Sequence, residues 1–171
     1  DSVFYAGTHN YICRYRNDGK FDPIPLPFSE RLKDNLLLSL IGDKEYPDRL
    51  WLGTEQGLIR TDMTTGKSAL FLPNTPIKSL LYDENGSLWI GTDNGLYIKS
   101  PGTTDFTCKR KRTDNPYSLQ NDVVWTIFKD RESNLWFGTD NGISIKQARN
   151  SYNSYSIREI TGSNEENLLF T

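Results

Sequence analysis

Cysteine and histidine are both scarce in this chain. Two cysteines in 171 residues are too few for a disulfide framework, so Cys13 and Cys108 read as small packing residues, with a bridge between them the lesser alternative. The single histidine, His9, leaves no His/Cys cluster at metal-ligand spacing, and neither a metal nor a cofactor is expected. A nucleophile, base and orienting acid would have to be assembled around His9, and nothing in the spacing favours that. No glycine-rich phosphate loop precedes a helix pattern, and no catalytic residue is assigned. Apolar runs stay well below the roughly 18 residues needed to cross a bilayer, and no leader pattern opens the chain. Direct membrane insertion is therefore not expected, and a chain opening at Asp1 reads as a mature or excised piece. The charge balance of 20 basic against 22 acidic residues gives no excess of one sign to attract nucleic acid or an anionic membrane. No helical periodicity outlasts a single turn, so an all-β domain is expected.

What the chain has instead is one stretch, repeated. Ser87-Leu88-Trp89-Ile90-Gly91-Thr92-Asp93-Asn94-Gly95-Leu96 returns as Asn134-Leu135-Trp136-Phe137-Gly138-Thr139-Asp140-Asn141-Gly142-Ile143 and as Arg49-Leu50-Trp51-Leu52-Gly53-Thr54-Glu55-Gln56-Gly57-Leu58. A worn copy, Val3 to Ile12, opens the chain. The Gly-Thr pairs fall at 7, 53, 91 and 138, and self-similarity at this period with one tryptophan per unit is the signature of a β-propeller. Leu-Trp-Ile-Gly-Thr suits a strand, and Asp-Asn-Gly supplies a positive-φ glycine for a tight reversal. The glycine inside the first strand implies close approach of another group. Each tryptophan is expected to pack between neighbouring blades. Trp51, Gly53, Thr54, Gly57, Trp89, Gly91, Thr92, Gly95, Trp136, Gly138, Thr139 and Gly142 are thus read as scaffold.

The whole chain, 1–171, reads as one propeller segment. Residues 1–30 form a partial blade with strands over Ser2–Thr8 and Tyr11–Arg16 and an outer strand near Lys20–Pro23; the prolines of Ile24–Pro27 confine that stretch to an edge or a connection. A blade over 31–75 has strands Leu36–Gly42, Leu50–Thr54, Leu58–Thr61 and Gly66–Leu72, with a first loop, Asp43–Arg49, two residues longer than its equivalents. A blade over 76–118 has Ile77–Tyr82, Ser87–Thr92, Leu96–Lys99 and Asp105–Arg110. A blade over 119–160 has Val123–Lys129, Asn134–Thr139, Ile143–Gln147 and Tyr152–Arg158. Residues 161–171 begin a further strand or a tail.

Aligned on Asp43, Asp83 and Asp130, the inner strands carry Ser39, Ser79 and Thr126 in one slot. Small residues there suit the crowded axis of a propeller. Such a segment supplies about three and a half to four four-stranded blades, a partial ring that falls short of the usual size of about four to eight. Its end blades would expose apolar faces, so the remainder of a parent chain or a second copy is expected to cover them.

The pattern Asn-x-Leu-Trp-x-Gly-Thr-x-x-Gly-Leu after an inner strand ending in Asp resembles the two-component regulator propeller repeat. Asp43 to Leu58, Asp83 to Leu96 and Asp130 to Ile143 match it, as does the linker Asn115-Pro116-Tyr117-Ser118-Leu119. The first copy departs, with Tyr5 in place of Trp and Tyr11 in place of Gly. The resemblance implies a segment of a seven-bladed propeller in the periplasmic sensor of a hybrid two-component histidine kinase of glycan-degrading bacteria, working as a homodimer. The parent would carry two propellers, a small β-sandwich, a membrane helix, a kinase and a response-regulator region, and would respond to an oligosaccharide. None of the downstream parts falls within these 171 residues, and His9 sits in a hairpin turn, where no phosphoacceptor role can be assigned.

In a propeller the loops leading into inner strands share a face with the turns joining second and third strands. That face would carry Glu55, Gln56, Asp93, Asn94, Asp140 and Asn141, with Lys78 and Trp125 near the starts of inner strands. Planar polar groups and an aromatic ring are what sugars bind. Trp125 is the leading candidate because the repeat puts Leu38 and Lys78 in its slot; packing in the channel wall is its other reading. The run Lys109-Arg110-Lys111-Arg112 either deters edge-to-edge pairing or docks an anionic glycan or partner domain. Two alternatives to a sensor stay open: a protein-interaction propeller without a small ligand, and a propeller lyase or lactonase.

Overall fold

The computed structural model describes residues 3–8, 11–16, 18–25, 36–115, 117–148, 152–156 and 159–160. His9, Leu26–Pro27 and the tail Ser163–Thr171, each given a place by the sequence, lie outside them. All fifteen elements among the described residues are strands, with a single helical turn at Glu159–Ile160 closed by Ile160 N–H on Ser156 O. The strands form four antiparallel sheets, and the chain divides into two compact units, Asp1–Leu80 and Leu81–Thr171.

In the first unit, β1 (Tyr5–Gly7), β2 (Tyr11–Tyr15) and β3 (Phe21–Pro25) form one sheet in chain order. Pro23 and Pro25 lie on the edge strand β3, opposite Cys13 and Tyr11, where a missing backbone donor is tolerated. β4 (Leu37–Gly42), β5 (Arg49–Thr54), β6 (Gly57–Asp62) and β7 (Ser68–Phe71) form the second sheet, also in chain order. The two sheets bury Ile12, Leu50, Leu52 and Ile59, flanked by Tyr5, Leu37, Leu40 and Met63.

The remaining sheets follow the same plan. β8 (Ile77–Tyr82), β9 (Leu88–Thr92), β10 (Gly95–Lys99) and β11 (Phe106–Lys109) make one; β12 (Val124–Lys129), β13 (Leu135–Thr139), β14 (Gly142–Lys146) and β15 (Tyr152–Tyr155) make the other. The core of the second unit is Trp89, Leu96, Leu119, Val124, Ile127, Leu135 and Phe137, with Leu81 and Ile98 against it. The indole of Trp89, 3% exposed, packs on the Phe137 ring of the following sheet at 5.6 Å. Ser133 adds a hydrogen bond from its hydroxyl to the Glu84 carboxylate.

The repeat has three working parts. First, the threonine hydroxyl closes the hairpin: Thr54 Oγ1 donates to Gly57 O, Thr92 Oγ1 to Gly95 O and Thr139 Oγ1 to Gly142 O, at 2.7–2.8 Å. The same oxygens accept the N–H of Gln56, Asn94 and Asn141. The worn first copy keeps the bond, Thr8 Oγ1 to Tyr11 O at 3.2 Å, so this hydroxyl does not depend on a following glycine.

Second, the glycine that follows the two-residue turn opens the return strand with the positive φ expected of it. Gly95 pairs with Thr92 and takes φ +115°. A Cβ there would lie 2.8 Å from Lys109 O on the outer strand, so both conformation and space require glycine. The glycine inside the first strand has a different reason. Gly53 pairs with Ser39 and Gly138 with Thr126. A Cβ on Gly53 would press on Ser39 Oγ and come within 2.8 Å of Ile77 O, and one on Gly138 would meet Thr126 Cγ2 at 2.7 Å. The small hydroxyl residue of these inner strands thus faces a glycine across the pair. That local fit gives the slot a reason within the pair itself.

Third, the aspartate ending the inner strand anchors the indole. Trp89 Nε1–H donates to Asp83 Oδ2 and Trp136 Nε1–H to Asp130 Oδ2, both at 2.8 Å. In the copy whose loop is two residues longer the bond is missing: Trp51 Nε1 and Asp43 Oδ2 are buried without a hydrogen-bond partner among the described residues. Trp51 instead lies 5.4 Å from Phe71 of its own sheet, under the Arg60 guanidinium. The expectation that every tryptophan packs between blades therefore needs qualifying. Trp89 packs on the next sheet, Trp51 has a ring partner within its own, and Trp136 stays 36% exposed.

Candidate functional site

The turn residues fall where the repeat places them. In the first unit, Glu55 and Gln56 form the two-residue loop between β5 and β6. Glu55 N–H donates to Leu36 O at 3.3 Å, at the start of the inner strand, and Gln56 O accepts Asn74 N–H at 2.9 Å. Their backbones are committed, and the exposed carboxylate of Glu55 points the loop's charge outward. Lys78 is half-buried on β8.

In the second unit the structure joins two of the candidates directly. Trp125 sits at an irregularity of β12, where the register with β13 shifts between Val124 and Thr126. A bulge re-aims a side chain away from the ladder. Here it leaves the indole 51% exposed while Val124 beside it is fully buried. β4 has the same shift between Leu37 and Ser39, at Leu38, and Leu38 is also exposed. The slot varies because the bulge frees it from the core. The Trp125 Nε1–H donates to the carboxylate of Asp140, in the loop joining β13 and β14, next to Asn141. An exposed indole, a carboxylate held against its edge and an amide one residue on form one surface.

Asp93 and Asn94 occupy the corresponding loop between β9 and β10, but their surroundings differ. Gly95 N–H donates to Asp122 O at 2.7 Å, and Asn94 O accepts Arg110 Nε–H at 3.1 Å. This turn is tied to the basic run and to the loop before β12. The run is itself fixed. Lys111 N–H donates to Asp122 Oδ1 at 2.6 Å, Arg112 N–H to Ser118 Oγ at 2.9 Å, and the Arg112 guanidinium forks onto Asp114 at 3.1 and 2.8 Å. The Arg112 pair holds the Asp114 carboxyl below its ordinary range. Reasoning from the sequence missed the Trp125–Asp140 bond and the threonine closures. The recurrence of Thr directly after Gly was the available signal for the second.

Among the described residues no group of His, Cys, Asp and Glu is disposed to hold a metal ion, and no helix is long and apolar enough to cross a membrane. The family model for the two component regulator propeller matches residues 72–94 and 118–141, so the chain carries repeats of that family. The extracellular domain of a hybrid two component system from B. thetaiotaomicron is 40% identical, with TM-score 0.71, over 84% of this chain and 20% of that one. That of a second such system from the same organism is 22% identical, with TM-score 0.68, over 92% and 22%. A streptogramin B lyase at 15% identity and TM-score 0.63, over 91% and 51%, shares the fold alone. The chain spans about a fifth of the length of the two-component relatives. No curated protein matches. The fold class is all-β, a β-propeller segment.

Proposed function

We propose that this chain, which carries two-component regulator propeller repeats, is part of the ligand-sensing region of a hybrid two-component system, periplasmic, and that its ligand is an oligosaccharide. The observation that carries the reading is the Trp125 surface. A half-exposed indole whose N–H donates to Asp140 offers an aromatic surface to the C–H face of a sugar, with the carboxylate and Asn141 beside it to bind hydroxyls. The 40% identity to an extracellular domain of such a system supports it. Signalling would require the ligand to bind one arrangement of the sensor better than another.

The same reading extends to partners. Phe128 and Trp136 face each other across β12 and β13 and are 61% and 36% exposed, whereas Trp89, in the equivalent slot, is covered by Phe137. A further sheet, from the rest of a parent chain or from a second copy in a homodimer, would cover them likewise. A glycan array probed with the purified chain tests the sensor reading. Saturable retention of a restricted set of oligosaccharides is expected. Retention of none, with a protein partner bound instead, would favour an interaction scaffold.

A further inference from the structure

A second surface lies on the outer side of the second unit. Past the end of β11, the basic run together with Asn115 and Tyr117–Leu119 borders an open cleft of about 610 Å³. That is within the range of pockets that hold small molecules, about 300–1,000 Å³. Its lining includes Lys109, Arg110, Arg112, Asn115, Tyr117 and Ser118. Three cations and no carboxylate contribute to the lining among the described residues. Of these cations Arg112 is already paired with Asp114, and Asp122 accepts the Lys111 N–H, which leaves Lys109 and Arg110 as the cations without a carboxylate partner in these bonds.

A run that only protected a strand edge would need no fixed geometry. This one has it. Arg110 is clamped to Asn94 O, and Ser118 Oγ both accepts Arg112 N–H and donates to Arg112 O. Hydrogen bonding to Tyr97 raises the Arg110 pKa further, so its charge is secure. Opposite stands Tyr117, its backbone N–H held by Asn115 Oδ1 at 2.9 Å and its side chain 64% exposed. A held Arg110, an exposed Lys109 and an exposed ring match a molecule that carries an oxyanion on an apolar-faced ring.

We infer that this cleft binds an acidic saccharide, with Lys109 and Arg110 on its sulfate or carboxylate and Tyr117 against the sugar face, as a site separate from the Trp125 surface.

Calorimetric titration of the whole chain with four probes tests this: a sulfated disaccharide, a uronate-containing disaccharide, their neutral counterpart and inorganic sulfate. At least one acidic disaccharide should bind roughly tenfold or more tighter than the neutral one, as expected where a charge-assisted hydrogen bond is gained, and should weaken as salt is raised. The arm that binds identifies the oxyanion. Lys109→Gln and Tyr117→Ala should each weaken that binding several-fold, with Tyr117→Phe retaining it and circular dichroism unchanged. Trp125→Ala should leave it intact, so failure here and failure of the sensor reading are separable. Equal binding of the neutral disaccharide, inorganic sulfate matching the sugar, no acidic probe binding, or indifference to Lys109→Gln would each overturn the proposal.

Discussion

At the scale of single residues, the repeat works because each polar side chain it keeps answers a specific backbone or indole group. The buried threonine hydroxyls both donate and accept, so they cost nothing in unmet hydrogen bonds. The aspartates do more. Asp130 accepts Trp136 Nε1–H, Asn134 Nδ2–H and the N–H groups of Glu132 and Asn134. These bonds, the indole's first, hold its carboxyl below the ordinary range. A carboxyl depressed in the folded state stabilises the fold above its unfolded pKa of about 3.9, and that contribution fades as pH falls through the folded value. Asp130→Asn should therefore be less stable than the parent at neutral pH, with the gap closing below about pH 4. Urea midpoints across pH check this; a gap independent of pH would contradict it. The Asp–Trp pairing was legible only as a recurrence of aspartates at strand ends, which turns also favour. Trp51 Nε1 and Asp43 Oδ2, unpartnered among the described residues, show why spacing matters: two extra loop residues separate a pair that six-residue spacing brings together.

At the scale of strands and turns, β-branched and aromatic runs punctuated by Gly and Asp-Asn located nearly every strand to within two residues, because alternation and turn chemistry are local signals. What could not be read was anything set by a neighbouring strand. The bulge that lifts Trp125 out of the core depends on pairing with β13. The close approach at Gly95 depends on the outer strand, whose Lys109 O lies 2.8 Å from where a Cβ would sit. This yields a contrast. Gly66 also has positive φ, at +70°, but nothing lies within 4 Å of a Cβ there. Gly66→Ala should cost about 1–2 kcal/mol, the ordinary left-handed penalty, and Gly95→Ala clearly more, seen as a larger drop in melting temperature. Equal losses would mean that the outer strand imposes no constraint.

At the scale of the whole molecule, the chain is a β-propeller segment spanning about a fifth of the extracellular domains it resembles. Repeat period and motif made the fold class and the family legible, since three tandem copies leave little room for another architecture. The proposed ligand was not legible, because the candidate groups stand on loops and a bulge, where the repeat imposes no residue. In the sequence the basic run fitted either edge protection or the docking of an anionic glycan or partner domain, and its hydrogen bonds to Asn94, Asp122 and Ser118 add a fixed cleft wall. The account rests most heavily on Trp125 as a sugar platform. Its most direct test is a calorimetric comparison of the parent chain with Trp125→Ala, using an oligosaccharide retained on the array. Since the ring is exposed, the variant should keep the parent's melting temperature to within a few degrees, and it should bind roughly tenfold or more weakly. Unchanged affinity in a folded variant would contradict the account.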